Sequence, residues 1–538
     1  KFAVMARSPL TGCVNDSLSS SGFAISGKKT GYDAFVITGC AVRPTCLVIE
    51  PDNVRFEDAT DLWGRSLPET EQQLASRLGA SFRTAAIGPA GENLVSYATV
   101  SHDGRHAGRG GLGAVMGAKQ LKAIAVRGDR TVPYAHAKEL TRYSRELSKK
   151  SLGPATEKYR ELGTVSNLMT FNRLGTLPTR NFQQGEFEAA LELSPDMMAA
   201  TGERTRRSCA ACTIGCEHIF PRQSTEGKPA SGVRMEYENL FALGPLCGIA
   251  DPEMVLAASA YCDEAGLDTI SAGGTIAFAM ECAEKGLLRA AGYGDGLVDG
   301  EPLAFGNGQA LLGMLQQIAH RRGLGELLAQ GSRAAAREIG QGAEDFAPQV
   351  KGLELPGYEP RALQTMALGF AVGTRGADHN RSGAYQVDFS AETDRFAPGR
   401  QAVAAAIVTE NEAALMDALI LCRFLRGVFD DRLAEMAEML RLVTGWDVTS
   451  EELNQTAERI VTQKKLFNIR MGWQPADDRL PERFFTQALP AGASSGAVLS
   501  RERLWDMILQ YNQARGWTDE GWVPPERLEA LGIAAAPV

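Results

Sequence analysis

The chain has 538 residues, 44% hydrophobic and 22% charged, with a net charge of −9 and a mean hydropathy of −0.16. That length exceeds what one hydrophobic core organises, so two to four domains are expected. An acidic balance without a dense Lys/Arg block argues against a nucleic-acid partner, and no apolar run is long enough to predict a membrane span.

The chain opens at Lys1 on a strand-like run, KFAVMARSPLTG, as though entered in mid-domain; the expectation is a first domain whose N-terminal part is missing. Residues 1–135 read as strand-rich, with β-prone runs at Asp33–Thr38, Thr45–Ile49, Thr84–Ile87, Val95–Val100 and Ala123–Val126 between Gly, Pro, Asp and Asn turn signals. Within them, Gly88–Val95 and Gly104–Gly117 are dense in glycine, which lets a backbone approach a ligand and aim N–H groups at anionic oxygens. Arg105, Arg109, Lys119 and Lys122 would suit phosphate. The bland alternative, a glycine-rich turn that binds nothing, is equally open. Gly111–Gly117 does not have the dinucleotide-binding spacing. From residue 136 the apolar period becomes helical at Glu139–Lys149, Pro195–Thr201, Pro252–Ala265, Ile270–Glu284 and Gly308–Arg322. It continues at Arg361–Val372, Arg400–Ile407, Glu410–Phe424, Asp431–Thr444, Ser450–Leu466 and Arg501–Arg515.

Ten cysteines without a disulfide-framework spacing predict a reducing, cytoplasmic compartment. Three of them, Cys209, Cys212 and Cys216, form C-x2-C-x3-C in Ser208–Phe220, SCAACTIGCEHIF. A cubane iron–sulfur cluster needs four thiolates. Zinc would call for a second ligand pair, which is absent, so the spacing favours iron–sulfur over zinc. Cys247, Cys262, Cys282 and Cys422 are candidates for the fourth thiolate, Cys262 and Cys282 reading as buried small hydrophobes. Cys422 ends Asp417–Cys422, DALILC, which matches Asp263–Asp268, DEAGLD, in its leading Asp and its fifth-position Leu. Two such turns are either halves of a pseudo-symmetric cofactor site or unrelated helix ends. In Met235–Asn239, MEYEN, the acids Glu236 and Glu238 either complement a helix dipole or include one buried carboxyl with a raised pKa. His379, in the loop RGADH, is either functional or a solvated loop histidine.

Several segments in a fixed order then carry a resemblance: SPLTG (8–12), GYDA (31–34), IGPAGENLV (87–95), AGRGGLGAVMGAKQLKAIAV (107–126), the cysteine loop, EYENLFALG (236–244), CDEAGLDTISAGGT (262–275), LELPGYEPR (353–361), RGADH and LFNIRMG (466–472). The chain resembles the tungsten-containing aldehyde:ferredoxin oxidoreductase family along essentially its whole length. The resemblance implies an α+β fold: a β-rich pterin-binding base domain (1–135), a helical domain with the cysteine loop (136–348), and a helical domain with the second pterin turn and fourth cysteine (349–538). It implies tungsten, or molybdenum, held by two molybdopterins beside one [4Fe–4S] cluster, with Mg2+ bridging the pterin phosphates. Aldehydes would be oxidised to carboxylic acids and electrons passed to ferredoxin or a ferredoxin-like subunit. Carried over by position, Cys209, Cys212, Cys216 and Cys422 are the cluster ligands, and Arg109, Gly110, Gly111, Asp263, Leu267, Asp268, Arg375, Asp417 and Leu421 bind pterin. Glu238 and His379 are then the acid–base pair.

Two positions depart from the family pattern. Ile420 stands where the second turn would have glycine, and Ala257–Ala260, AASA, replaces the Glu-x-x-His of the interface iron in the archetypal homodimer, so that iron is not expected. The alternatives are the tungsten subunit of a benzoyl-CoA-type aromatic acyl-CoA reductase and a non-catalytic iron–sulfur or zinc scaffold.

Overall fold

The computed structural model describes residues 1–200, 202–222 and 232–534. Its strands concentrate at the N-terminal end, and helices dominate thereafter. The hairpin β1 (Phe2–Arg7) and β2 (Val14–Ser19) lies beside a six-stranded mixed sheet of β3 (Thr45–Glu50), β4 (Asn53–Asp58), β5 (Arg83–Ala86), β6 (Val100–His102), β7 (Arg105–Ala107) and β8 (Leu121–Val126). The strand order is β4-β3-β8-β5-β6-β7, with β3 and β8 parallel and every other pair antiparallel.

Side chains alternate across a strand, and β3 shows how both faces are covered. Cys46 and Val48 pack with Leu67 and Leu74 of the helix α2 (Leu67–Leu78), whereas Leu47 and Ile49 pack with Phe23 of α1 (Gly22–Lys28). The helix α3 (Leu112–Ala118) follows the glycine-rich stretch and adds Leu112 and Met116 to the Phe23 face.

Two expected strands are not formed. Asp33–Thr38 is largely exposed and pairs with no neighbouring strand. Val95–Thr99 turns away from the sheet after Leu94, whose φ is +57°. It bonds instead to the turn that follows Cys262: Thr99 N–H donates to Gly266 O (2.8 Å), and Tyr97 O accepts from Asp268 N–H (3.1 Å). Tertiary demand overrides β-propensity here.

The helices that matter for the site are α4 (Ala137–Lys150), α5 (Pro154–Glu161), α6 (Tyr237–Leu243), α7 (Pro252–Ala265), α8 (Thr269–Glu284), α9 (Gln364–Val372), α10 (Arg400–Ala418), α11 (Arg432–Thr444), α12 (Ser450–Arg470) and α13 (Arg501–Ala514). All nine residues of α9 are buried, as is Ile270–Cys282 of α8, so these two lie inside a continuous core that also holds Leu10 and Trp517. The helices expected at Arg400–Ile407 and Glu410–Phe424 are one, α10, which ends at Ala418 rather than Phe424. The helix runs through Val408–Thr409, where Thr409 Oγ1 lies within hydrogen-bond distance of Ala406 O (2.9 Å) and Ser382 O (2.8 Å). Pro195–Thr201 yields only the turn Pro195–Met198, and Thr201 lies outside the described residues.

Candidate active centre

The cysteine loop joins β9 (Thr205–Arg207) to β10 (Glu217–Phe220), which pairs in turn with β11 (Val233–Met235). Left-handed residues at Ala211 (φ +60°) and Gly215 (φ +61°) fold it tightly. Cys212 N–H donates to Cys209 O (3.0 Å), Ile214 N–H donates to Cys212 Sγ (3.3 Å), and Ser20 Oγ lies 3.2 Å from Cys209 Sγ. Cys422 comes to the same place from far along the chain. Burial pushes the Cys216 thiol up, with Glu236, Cys422 and Cys209 adding to it; burial likewise raises Cys422, with Cys212 and Cys209 adding. Cys422 therefore lies within electrostatic reach of Cys209, Cys212 and Cys216, and all four are half-buried. Among the described residues, no three His, Cys, Asp or Glu side chains converge on a single ion. The other candidates face elsewhere: Cys247 Sγ donates to Ala242 O (3.4 Å) and Gly273 O (3.6 Å), and Cys262 and Cys282 are buried in the apolar core.

The first turn of α6 stands between this loop and a second site. Glu236 caps the helix, its backbone N–H donating to Asn239 Oδ1 (2.7 Å), and its own carboxyl is buried on the Cys216 side. Glu238, two residues on, reaches the opposite side, where Oε2 accepts from Gly357 N–H (3.1 Å). Both acids of MEYEN are thus half-buried and engaged within the protein rather than solvated dipole partners. Burial raises the Glu238 carboxyl to about 8, although Gly357 N–H and Arg109 pull it down. His379 Nε2 lies 3.5 Å from Glu238 Oε1. Burial lowers His379 to about 3, so the imidazole is neutral at any working pH. Tyr358 stacks on it with ring centroids 4.9 Å apart. Glu238 Oε1 and His379 Nδ1 are both buried without a hydrogen-bond partner among the described residues. Buried polar atoms are normally satisfied, so two orphans on one adjoining pair mark a place for a ligand.

His379 is held there by its neighbour. Asp378 caps the turn His379–Ser382, accepting from the N–H groups of Asn380 (2.8 Å) and Arg381 (2.9 Å). Its other oxygen pairs with Arg375 and lies 3.7 Å from Arg109 Nη1. From Asp378 a buried chain of alternating charge extends both ways. Arg109 Nε lies 3.4 Å from Asp268 Oδ2. On the other side Arg375 donates to Asp16 O (2.7 Å), Arg381 bridges Asp16 and Asp417, Arg423 meets Asp417 at 2.6 Å, and Lys464 meets Asp16 at 3.1 Å. Arg381, Lys464 and Arg375 hold Asp16 down at about 2 despite its burial. One network thus connects Asp268 with Asp417, the ends of the two matched turns.

Those turns share a conformation. In each, a helix ends in a six-residue bend closed by the same i→i−5 bond: Leu267 N–H to Cys262 O (2.9 Å) after α7, and Leu421 N–H to Met416 O (2.7 Å) after α10. Gly266 (φ +77°) and Ile420 (φ +59°) are the matching left-handed residues. Ile420 therefore adopts the glycine geometry at a strain of about 1–2 kcal/mol. Gly266→Ala, with φ +77° and a new Cβ 3.2 Å from Gly88 N, is expected to lose about 1–2 kcal/mol, read as a lower unfolding midpoint. The side chain of Asp263 lies apart from Asp268, 3.0 Å from His106 Nε2 and 4.0 Å from Arg234 Nη2, while Leu267 is buried and Leu421 O accepts from Lys1 Nζ (2.9 Å). Gly110 and Gly111 are set by packing: a Cβ would fall 2.3 Å from Asn15 or 1.9 Å from Ser96 O. Asp16, Asp378 and Arg381 escaped the sequence reading, although the R-x-x-D-x-x-R spacing of 375–381 was visible.

Family models match both ends of the chain: residues 1–128 match the N-terminal domain of aldehyde ferredoxin oxidoreductase, and residues 139–533 match its domains 2 and 3. The chain belongs to the aldehyde ferredoxin oxidoreductase family. The tungsten-containing aldehyde ferredoxin oxidoreductase of Thermococcus kodakarensis is 38% identical over 99% of this chain and 87% of its own length. That of Pyrococcus furiosus is 37% identical with the same coverage. A solved structure, the active site complex BamBC of benzoyl coenzyme A reductase, superimposes with a TM-score of 0.79 at 24% identity over 99% of this chain and 86% of that one, a likeness of fold. The α+β architecture inferred from the resemblance is the one found, a β-rich N-terminal region followed by helical ones. No helix of the described residues is long and apolar enough to cross a membrane.

Proposed function

We propose that the chain oxidises aldehydes to carboxylic acids and sends the electrons through a [4Fe–4S] cluster to a ferredoxin-type acceptor in the cytoplasm. The observation that carries this reading is the buried Glu238–His379 pair, with one unpartnered polar atom on each residue. Relatives named for aldehyde oxidation at 37–38% identity over nearly the whole chain support it. The reaction balances as aldehyde plus water giving carboxylic acid, two protons and two electrons. A tungsten–pterin group, when bound, supplies the two-electron acceptor.

In this reading Cys209, Cys212, Cys216 and Cys422 would hold the cluster, the four thiolates that a cubane needs. Arg109, Gly110, Gly111, Asp263, Leu267, Asp268, Arg375, Asp417 and Leu421 hold the pterins. The network around Asp378 sets Arg109, Arg375, Arg381, Arg423 and Lys464 against Asp16, Asp268, Asp378 and Asp417, a small cationic excess that suits an anionic cofactor. Mg2+ would complete the cofactor set. Glu238 Oε1 takes the proton of the attacking water, and the neutral His379 donates its N–H to the developing oxyanion. Tyr358 fixes the imidazole plane. The likeness to the benzoyl coenzyme A reductase complex is one of fold, and nothing at the site favours a thioester.

Elemental analysis tests the reading. About four Fe and one W (or Mo) per chain are expected, with Cys422→Ser losing most of the iron. Zinc in place of iron, with neither W nor Mo, would reject it.

A further inference from the structure

Where β2 gives way to α1 the chain reads Ser17–Gly22, SLSSSG, with four serines in six residues. Ser17 and Ser19 belong to the strand and are buried. Ser20 and Ser21 follow it and meet the thiol loop, 189 residues further along the chain. Ser20 Oγ lies 3.2 Å from Cys209 Sγ, and Ser21 Oγ accepts from Ala210 N–H (2.7 Å). The two hydroxyls thus do different work: Ser21 ties down the loop backbone, and Ser20 faces its first sulfur.

A thiolate carries no proton, so once Cys209 is ionised as a metal ligand Ser20 must be the donor of the pair. Among the described residues, no other side-chain hydroxyl makes a hydrogen bond to any of the four sulfurs. Cys212 Sγ accepts a backbone N–H, that of Ile214 (3.3 Å), and the Phe424 backbone lowers Cys422. The charge beside the loop is compensated: Arg105, within electrostatic reach of Cys209 and Cys216, pairs with Glu217. Ser20 is half-buried, and its place is fixed from further back on β2. Asp16 O accepts from Arg375 (2.7 Å) and Arg381 (2.6 Å), which anchors the strand in the buried ionic network four residues before Ser20.

We propose that Ser20 sets the reduction potential of the cluster, its hydroxyl donating to the Cys209 thiolate and raising that potential. This rests on the cluster proposed above for Cys209, Cys212, Cys216 and Cys422. Reduction adds one negative charge, part of which spreads onto the ligand sulfurs. A donor aimed at one of those sulfurs stabilises the reduced form more than the oxidised form, because hydrogen bonds strengthen with the charge of the acceptor. Water at a half-exposed loop offers only a mobile donor; Ser20 offers a fixed one. A higher potential in turn favours the cluster as the acceptor of the electrons that aldehyde oxidation releases. Ser20 acts through Cys209 throughout.

A redox titration of the metal-loaded protein, followed by the EPR signal of the reduced cluster, tests this. In Ser20→Ala the reduced-to-oxidised ratio at a fixed ambient potential is expected to fall about 10-fold, a downward shift of about 59 mV for a one-electron couple. Ser20→Thr keeps the hydroxyl and should hold the ratio of the unaltered protein, with iron content unchanged in both. Pulsed EPR after exchange into D2O should show one exchangeable proton coupled to the cluster that Ser20→Ala loses and Ser20→Thr retains. Ser21→Ala, which frees Ala210 N–H, should release iron faster to a chelator and leave the potential in place. Ser20→Thr and Ser20→Val have equal shape and differ by the hydroxyl, so their potentials decide the matter if Ser20→Ala takes up too little iron. A potential unmoved in both Ser20→Ala and Ser20→Val, or moved as far in Ser20→Thr, overturns the proposal. An unaltered protein without a cluster signal would defeat the proposed function and this inference with it; a normal signal with an unmoved potential defeats this inference alone.

Discussion

Glu238→Gln is expected to lower kcat for aldehyde oxidation by about 10²–10⁴, the range of a lost general base, with tungsten and iron contents unchanged. The amide keeps the volume of the side chain and its Oε1 can still accept from Gly357 N–H, so α6 and the strand that leads into it should stay in place. What disappears is the group that accepts a proton. The pH dependence gives a second, independent reading. Burial lifts Glu238 to about 8; Asp378 and Asp268 push in the same direction, while Gly357 N–H and Arg109 oppose. A base must be ionised, so kcat should rise with pH through about 8 and level off above it. The Gln variant should lack that limb. His379 contributes no second limb there, because its burial keeps it neutral down to about pH 3. Full activity in the Gln variant at pH 7 would remove Glu238 from the reaction.

What was legible in the sequence divides along physical lines. Local signals carried through: the long helices and the capped α12 lie where periodicity placed them, and the strands β3 and β8 lie where β-prone runs between turn signals placed them. The cysteine spacing brought Cys209, Cys212 and Cys216 together because a short loop leaves the chain little choice. The fate of MEYEN could not be read, since a first-turn glutamate looks the same whether it faces water or His379. Only the approach of Gly357 and Tyr358 from far along the chain makes the difference. The six-residue match of DEAGLD and DALILC was too short to trust alone, and became meaningful through the shared i→i−5 closure and the left-handed Ile420. Asp16, Asp378 and Arg381 stayed hidden for a related reason. Each is an ordinary charged residue in a turn or strand, and its burial is a property of how three segments meet.

That meeting point is where a single substitution should do most damage to stability. Arg375→Ala is expected to cost about 3–5 kcal/mol, as removal of one member of a buried ion pair generally does. Arg375 is only 6% exposed; it pairs with Asp378 and donates to Asp16 O (2.7 Å). Its loss leaves Asp378 with the backbone donors of its own turn and with Arg109 at 3.7 Å, too distant to replace a direct pair. The carboxyl, held well below its usual range by Arg375 and then Arg109 despite burial, would rise. Arg375→Lys should recover only part of the loss, because an ammonium cannot reach both Asp378 and the Asp16 carbonyl as the planar guanidinium does. Combining Arg375→Ala with Asp378→Asn should cost less than the sum of the two changes, since the stranded charge is then gone. Thermal unfolding of the four proteins closes the cycle. If the double variant is as unstable as the sum, the network is a set of independent contacts rather than one unit joining Asp268 to Asp417. Strict additivity would also separate the two turns energetically, leaving each to hold its side of the site alone.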